Sequence, residues 1–143
     1  RTTTGGDEKN KLKISFFDYP NTEKSNGKIV KISYKDVDFC LLDGIKRAEF
    51  DSGFVWDRLK NCEVLVISEL GDYEDTREII GRIKPQKIIF TRYYFRYQKE
   101  KIPTLMALEF PQIEYHRTLK NGAIICKTDG EKVDFDFTIQ DEP

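Results

Sequence analysis

Short apolar runs, none longer than a β-strand, set the pattern of this sequence. Val64–Ile67 and Ile88–Phe90 are typical, since each is wholly apolar and is bounded by polar residues. A strand that is covered on both faces has this composition, whereas a helix that crosses a bilayer needs about 20 apolar residues. We therefore predict a water-soluble domain built on a buried sheet, with no membrane contact in this segment.

Helix-like segments lie between the strand-like runs. The clearest carries Ile79, Ile80 and Ile83 at three- and four-residue spacing, and Pro85 ends it. The carboxylate of Asp72 or Asp75 can cap its first turn. The pattern predicts helices at Ala48–Lys60, from Asp72 to Lys84 and at Thr104–Phe110, and strands at Leu12–Phe16, Ile29–Tyr34, Val37–Leu42, Cys62–Ile67, Ile88–Tyr94, Ile113–Leu119, Ala123–Lys127 and Val133–Ile139.

This order of elements indicates one α/β domain. Strands stand at both ends and alternate with helices in the middle, which favours a two-layer β-α sandwich with its helices on one face of the sheet. We place the domain at residues 12–139, after a disordered lead-in or tail at 1–11 and before a tail at 140–143. Lys35-Asp36, Asn121-Gly122 and Asp129-Gly130 are the predicted hairpin turns.

Charge and cysteine content exclude several classes of function. The 24 Lys and Arg residues are balanced by 25 Asp and Glu residues, so the chain is not a globally basic nucleic-acid-binding protein. Cys40, Cys62 and Cys126 are isolated in apolar, strand-like surroundings, which argues against a disulfide framework and against a zinc site with cysteine ligands. We expect three buried free thiols.

Several short motifs follow one another in a specific order. They are Lys28-Ile-Val-Lys-Ile32, the run from Phe39 to Ile45, Ile83-Lys-Pro85, Tyr115-His-Arg-Thr118, Asn121-Gly-Ala-Ile124 and Lys127-Thr-Asp-Gly130. In this order they resemble the second half of the metallo-β-lactamase-like domain at the C-terminus of ComEC-type DNA-internalisation competence proteins. The resemblance covers about residues 12–139 and implies half of an αββα fold.

The resemblance also implies that the metal ligands have been lost. Where the family has H-H-G-S, this chain has Glu69-Leu-Gly-Asp72, and Lys101-Ile-Pro103 replaces G-H-P. The family's T-G-D-I becomes Leu42-Asp-Gly-Ile45, which moves the carboxylate one place upstream. Only Asp43, Glu69 and Asp72 remain as weak oxygen ligands.

The single histidine does not restore a catalytic centre. His116 lies where the resembled family places no ligand, and one imidazole is too few for a zinc site. A structural or surface role is the simpler interpretation, with a role as a general base the alternative. We predict no catalytic residue, no bound metal and no cofactor.

The segment from Arg92 to Lys101 interleaves four aromatic residues with four basic ones. Aromatic rings stack on unpaired bases while Arg and Lys neutralise phosphates, so single-stranded nucleic acid is a candidate ligand. A strand end with solvated charges explains the same composition. The candidate nucleic-acid-binding residues are Arg92, Tyr94, Arg96, Tyr97, Lys99 and Lys101.

The main prediction is a non-catalytic interaction or assembly module. A lone half of the resembled fold presents an apolar sheet face without internal cover, so we expect a homodimer or a companion domain of a longer competence-type protein. The alternatives are single-stranded nucleic-acid binding through residues 92–101 and a residual metallo-β-lactamase-type hydrolase. Such a piece would be cytoplasmic or lie on the outer face of a membrane-anchored parent involved in DNA uptake.

Overall fold

The computed structural model describes residues 2–5, 11–18, 28–43, 53–68, 73–91 and 101–139. The strands in these ranges are β1 (Thr2–Gly5), β2 (Leu12–Asp18), β3 (Lys28–Tyr34), β4 (Val37–Asp43), β5 (Val64–Ile67), β6 (Lys87–Phe90), β7 (Glu114–Arg117), β8 (Ile124–Thr128) and β9 (Val133–Phe137). The helices are α1 (Gly53–Leu59), α2 (Tyr73–Ile83), α3 (Ile102–Glu109) and the single turn α4 (Thr118–Asn121).

The first seven strands form one mixed sheet in chain order, from β1 at one edge to β7 at the other. β1 to β4 pair antiparallel, and a two-residue turn at Lys35 and Asp36 joins β3 to β4. β4 to β7 pair parallel, because α1, α2 and α3 carry the chain back between successive strands. β8 and β9 form a separate antiparallel hairpin.

The three longer helices cover one face of the seven-stranded sheet. Leu59 of α1, Ile80 of α2 and Met106 of α3 are fully buried in one apolar cluster with the central strands. Burying an apolar side chain of this size contributes about 1.5–3 kcal/mol. The strand residues of this cluster form two rows across β4, β5 and β6, namely Cys40-Leu65-Ile88 and Leu42-Ile67-Phe90.

The β8–β9 hairpin lies on part of the opposite face. Its side chains alternate between half-buried and exposed, as expected when only one face of a hairpin packs. On the half-buried side, the rings of Phe135 and Phe137 contact His116 of β7. Their centroids lie 5.2 and 4.7 Å, respectively, from the centroid of the His116 imidazole. The hairpin therefore covers the β7 side of this second face.

The tip of the hairpin docks against the turn between β3 and β4. The backbone N–H of Asp36 donates to the carbonyl oxygen of Gly130 over 3.0 Å. Asp129 shapes the tip, since its carboxylate accepts the backbone N–H groups of Glu131 and Lys132. The predicted turns at Lys35-Asp36 and Asp129-Gly130 are thus both present, and they contact each other.

From Leu12 onward, the order of elements agrees with the sequence prediction, and the chain is a mixed α/β protein. α2 buries Ile79, Ile80 and Ile83 and ends before Pro85, as expected. The proposed cap Asp72 falls outside the described residues, as do residues 48–52 of the first predicted helix. Among the helices of the described ranges, none is long and apolar enough to cross a membrane.

The structure differs from the prediction in three places, and one is Asn121-Gly122, which ends the helical turn α4 instead of joining two strands of a hairpin. β1 lies in the segment 1–11, for which the sequence predicts disorder. The polar Thr-Thr-Thr-Gly sequence of β1 carries no apolar alternation, so it gives no strand signal. The predicted strand Ile113–Leu119 is wrong beyond Arg117, where the chain turns into α4. The hydroxyl of Thr118 donates to the carbonyl oxygen of Thr91 over 2.8 Å, which anchors the start of this turn to the end of β6.

Candidate functional site

Most of the predicted nucleic-acid-binding residues lie outside the described part of the chain. These are Arg92, Tyr94, Arg96, Tyr97 and Lys99. Lys101 is described, and it stands exposed at the start of α3. Because Thr91 follows β6 directly, the segment leaves from the end of the sheet where the parallel strands terminate, and Lys101 marks its return.

Of the three weak metal candidates, only Asp43 lies in the described residues. Glu69 and Asp72 fall in a range that is not described. Asp43 ends β4, and its carboxylate accepts a 2.7 Å hydrogen bond from the hydroxyl of Ser68. Within the ranges that are described, no group of three His, Cys, Asp or Glu residues is placed to hold a metal ion.

His116 takes part in a polar and aromatic contact network on the hairpin side of β7. Its Nε2 lies 2.6 Å from a carboxylate oxygen of Glu114, whose other oxygen accepts a 2.6 Å hydrogen bond from Lys87. The bond from Lys87, with a further contribution from His116, lowers the pKa of Glu114 below its usual value. These contacts hold the imidazole between Glu114 and the hairpin rings.

The three cysteines are free thiols. Cys40 and Cys62 are buried, and burial raises the pKa of the Cys62 thiol well above its usual value, with Cys40 adding to the shift. The thiol of Cys62 donates to the carbonyl oxygen of Val64. Cys126 of β8 is half-buried, so the expectation of three buried thiols is wrong at this position.

Part of the second sheet face is apolar and is only partly covered by the described elements, and we call it the open sheet face. Its centre is the row Phe16-Val30-Leu41-Val66, whose members are direct neighbours across β2, β3, β4 and β5. Phe16 keeps 47% of its surface exposed, while Ile89, which extends this row onto β6, keeps only 3%. The remaining members of the open sheet face are Leu12, Ile14, Ile32 and Phe39.

The exposure gradient follows from the position of the hairpin. Val64 and Ile89, on the strands near β7, are buried on this face, whereas Leu12 and Phe16 on β2 are almost half exposed. The β8–β9 hairpin extends from β7, where Phe135 and Phe137 contact His116, to the β3–β4 turn, where Gly130 contacts Asp36. Leu12 and Phe16 of β2 lie beyond the hairpin and are the most exposed part of this face.

A cavity of about 580 Å³ lies along the free edge of β7, and we call it the edge cavity. Helix α3 forms one wall, α4 closes one end, and Phe137 of the hairpin forms part of the opposite wall. The polar and charged groups come from three elements that are distant in sequence. The residues that define the edge cavity are Pro103, Thr104, Tyr115, Arg117, Lys120 and Asn121.

The floor of the edge cavity is fixed by Tyr115 and Asn121. The Tyr115 hydroxyl lies 3.0 Å from the carbonyl oxygens of both Met106 and Phe110, so it ties β7 to the end of α3. Burial raises the pKa of Tyr115 to about 12, which keeps the hydroxyl protonated as a donor. Asn121 is 7% exposed and accepts the backbone N–H of Arg117 through Oδ1 at 3.4 Å.

Sequence reasoning missed the edge cavity. Arg117 was assigned to a strand and Asn121 to a hairpin turn, and neither assignment places them beside Thr104. The one available signal was Pro103 near the start of a short apolar helix, which indicates a helix N-terminus but not what faces it. Comparisons with protein-family models, with curated proteins and with solved structures gave no match for this chain.

Proposed function

We propose that this chain is a non-catalytic interaction module that associates with a second copy of itself through the open sheet face. The observation that carries the proposal is the row Phe16-Val30-Leu41-Val66, which is apolar throughout and which the described elements cover only in part. Apolar surface of this kind gains free energy when it leaves water, and a flat sheet face accommodates another sheet face.

The layer arrangement supports a relation to half of an αββα sandwich. Helices α1, α2 and α3 cover one sheet face, as they do in each half of such a fold, and the opposite face is where a second sheet would pack. In this chain the β8–β9 hairpin covers part of the face on which a second sheet would pack. We propose that the sheet of a second copy covers the remaining part, in a two-fold arrangement that brings the two open sheet faces together.

The size of the face sets the strength that we expect. Four strands span about 19 Å at a spacing of about 4.8 Å, and strands of seven residues are about 23 Å long. Two such faces would bury about 900 Å² in total, slightly less than the ~1,200 Å² of a standard specific interface. The dimer should therefore be weak and concentration-dependent, with a dissociation constant of about 10 µM or higher.

The test is sedimentation velocity over about a hundredfold range of concentration, at low and at high salt. We expect the mass to rise from monomer to dimer, and the association to persist at high salt, because burial of apolar surface is not screened. Phe16→Lys should weaken the dimer at least about tenfold, since burial of the exposed half of this ring contributes roughly 1–2 kcal/mol per copy.

Leu108→Lys is the matched control. Leu108 is 75% exposed on α3, on the helical side of the protein, so the same change of charge there should leave the association unaltered. A chain that stays monomeric at every concentration would contradict the proposal. Equal weakening by both variants would also contradict it, because the effect would then come from net charge rather than from the open sheet face.

A further inference from the structure

We infer that the edge cavity is a binding site for a phosphate group. The edge cavity lies at β7, at the sheet edge that is far from β2, and the inference does not rest on the proposed self-association. Three kinds of donor meet in the cavity: the first turn of a helix, a buried side-chain amide and two cationic side chains. Phosphate oxygens accept hydrogen bonds from all three.

The first turn of α3 supplies backbone donors. Among the described residues, the N–H of Leu105 makes the first intrahelical bond, to the carbonyl of Lys101, so the N–H groups of Ile102 and Thr104 precede the hydrogen-bonded part of the helix. None of those residues caps this end with its side chain. Pro103 and Thr104 line the edge cavity together with Ala107 of the next turn, so the first half of α3 lies along the cavity.

The side chain of Asn121 gives the observation that is independent of the helix. It is more than nine-tenths buried and lines the edge cavity. Its Oδ1 accepts the backbone N–H of Arg117, which leaves the amide nitrogen as the donor of this side chain. That nitrogen has no acceptor among the described residues, and it is not sealed from solvent. A buried amide donor left open to a cavity is suited to a ligand oxygen.

Arg117 and Lys120 add positive charge to the same space. In the described residues neither side chain has a carboxylate within ion-pair distance, and no carboxylate lines the edge cavity. The nearest acid along β7, Glu114, is occupied by Lys87 and His116. An anion that enters the cavity therefore meets unpaired cations and little opposing negative charge from the described residues.

The dimensions of the cavity define the class of ligand. About 580 Å³ falls within the range of about 300–1,000 Å³ that is typical of small-molecule sites, so it admits a phosphate together with an attached group. Phe137 provides an apolar wall beside the cationic end. We therefore assign the site to phosphate monoesters, with free phosphate as the minimal ligand.

The test is a ¹⁵N-edited NMR titration of the whole chain with inorganic phosphate at constant ionic strength. We expect saturable shifts of the Asn121 side-chain amide and of the Thr104 backbone amide, with a dissociation constant of about 1 mM or lower. Lys120→Gln should weaken binding about tenfold, because a charge-assisted hydrogen bond is lost from an exposed residue that the fold does not need. Lys60→Gln, an equally exposed cation outside the cavity, is the matched control and should leave the binding constant unchanged.

The source of the phosphate is distinguished by two further ligands, adenosine monophosphate and a 5′-phosphorylated oligonucleotide. Tighter binding of either one than of free phosphate identifies an ester ligand, and equal binding of all three identifies phosphate alone. Absence of saturation at Asn121 and Thr104 would overturn the inference. Equal loss in Lys120→Gln and Lys60→Gln would overturn it as well, because it would show general attraction rather than a site.

Discussion

Gly130 holds the hairpin against the β3–β4 turn, and its replacement by alanine should be costly. Its φ of +97° lies in the region that side chains disfavour. A Cβ atom added there would lie 2.6 Å from the Cβ of Lys35, closer than such atoms approach. Because the N–H of Asp36 bonds to the carbonyl of Gly130, the two turns cannot separate without loss of that bond.

Two terms set the expected magnitude for Gly130→Ala. The unfavourable backbone conformation costs about 1–2 kcal/mol, and forcing extra atoms into a packed contact costs about 1–3 kcal/mol. The free energy of unfolding should therefore fall by about 2–5 kcal/mol, a large part of the ~5–15 kcal/mol that is usual for a domain. Urea unfolding followed by far-UV circular dichroism measures this change.

A double-mutant cycle separates the two terms. Lys35→Gly removes the side chain that the added methyl group would meet, so the double variant should not suffer the steric cost. The coupling energy between Gly130→Ala and Lys35→Gly should therefore be about 1–3 kcal/mol. Gly81→Ala is the control, since its added Cβ would meet only Phe110 at 3.6 Å, and it should stabilise α2 slightly. Additivity of Gly130→Ala and Lys35→Gly within about 0.5 kcal/mol would refute the docking of the two turns.

Three further predictions concern the core, the pH dependence and the thiols. Leu65→Ala should lower the free energy of unfolding by about 2–5 kcal/mol in urea titrations, because it leaves a cavity beneath the helices. Arg77 and Tyr73 lower the pKa of Glu109, and Lys87 lowers the pKa of Glu114. The two carboxyl groups therefore bind protons less tightly in the folded chain than in the unfolded chain. The stabilisation from the two ionised carboxylates is complete above about pH 4.3 and is lost as the pH falls through their lowered pKa values. The melting temperature should therefore drop in that pH range, and the drop should be smaller in Glu114→Gln. A thiol reagent should modify Cys62 only at the rate of unfolding, with half-buried Cys126 reacting earlier.

Local patterns in the sequence were enough to predict most of the strands and helices. A strand such as Val64–Ile67 is recognisable because a continuous apolar run between polar residues is typical of the central strands of a sheet. The turn at Asp129-Gly130 is recognisable because glycine adopts a positive φ and aspartate accepts the following backbone N–H groups. Each of these signals depends on residues that are close together in the chain.

The turn predicted at Asn121-Gly122 shows where a local signal is ambiguous. Asn-Gly is favoured in hairpins, but a glycine with positive φ also ends a helical turn. Gly122 has φ +68°, and its N–H bonds to the carbonyl of Thr118, so the second arrangement is the one present. What decides between them is the bond from the Arg117 N–H to Asn121, a contact that the dipeptide alone does not encode.

The edge cavity was beyond prediction for a different reason. Thr104 and Asn121 are 17 positions apart, and they meet only because α3 runs antiparallel to β7 and α4 turns back at its end. The charges of Arg117 and Lys120 are ordinary in sequence, since basic residues are common on soluble domains. Their significance comes from the absence of neighbouring carboxylates among the described residues, which is a property of the fold.

The positions of the two proposed sites make their independence testable. Phe16 on β2, where the open sheet face is most exposed, and Arg117 on β7 are separated by five strand spacings, about 24 Å. Screening by salt is effective beyond about 10 Å, so binding of an anion at Arg117 should not alter association at Phe16. Coupling between sites requires an element that both ligands bias, and neither proposed site includes an element of the other. Phosphate should therefore bind equally well to monomer and dimer, and Phe16→Lys should bind it as tightly as the unaltered chain.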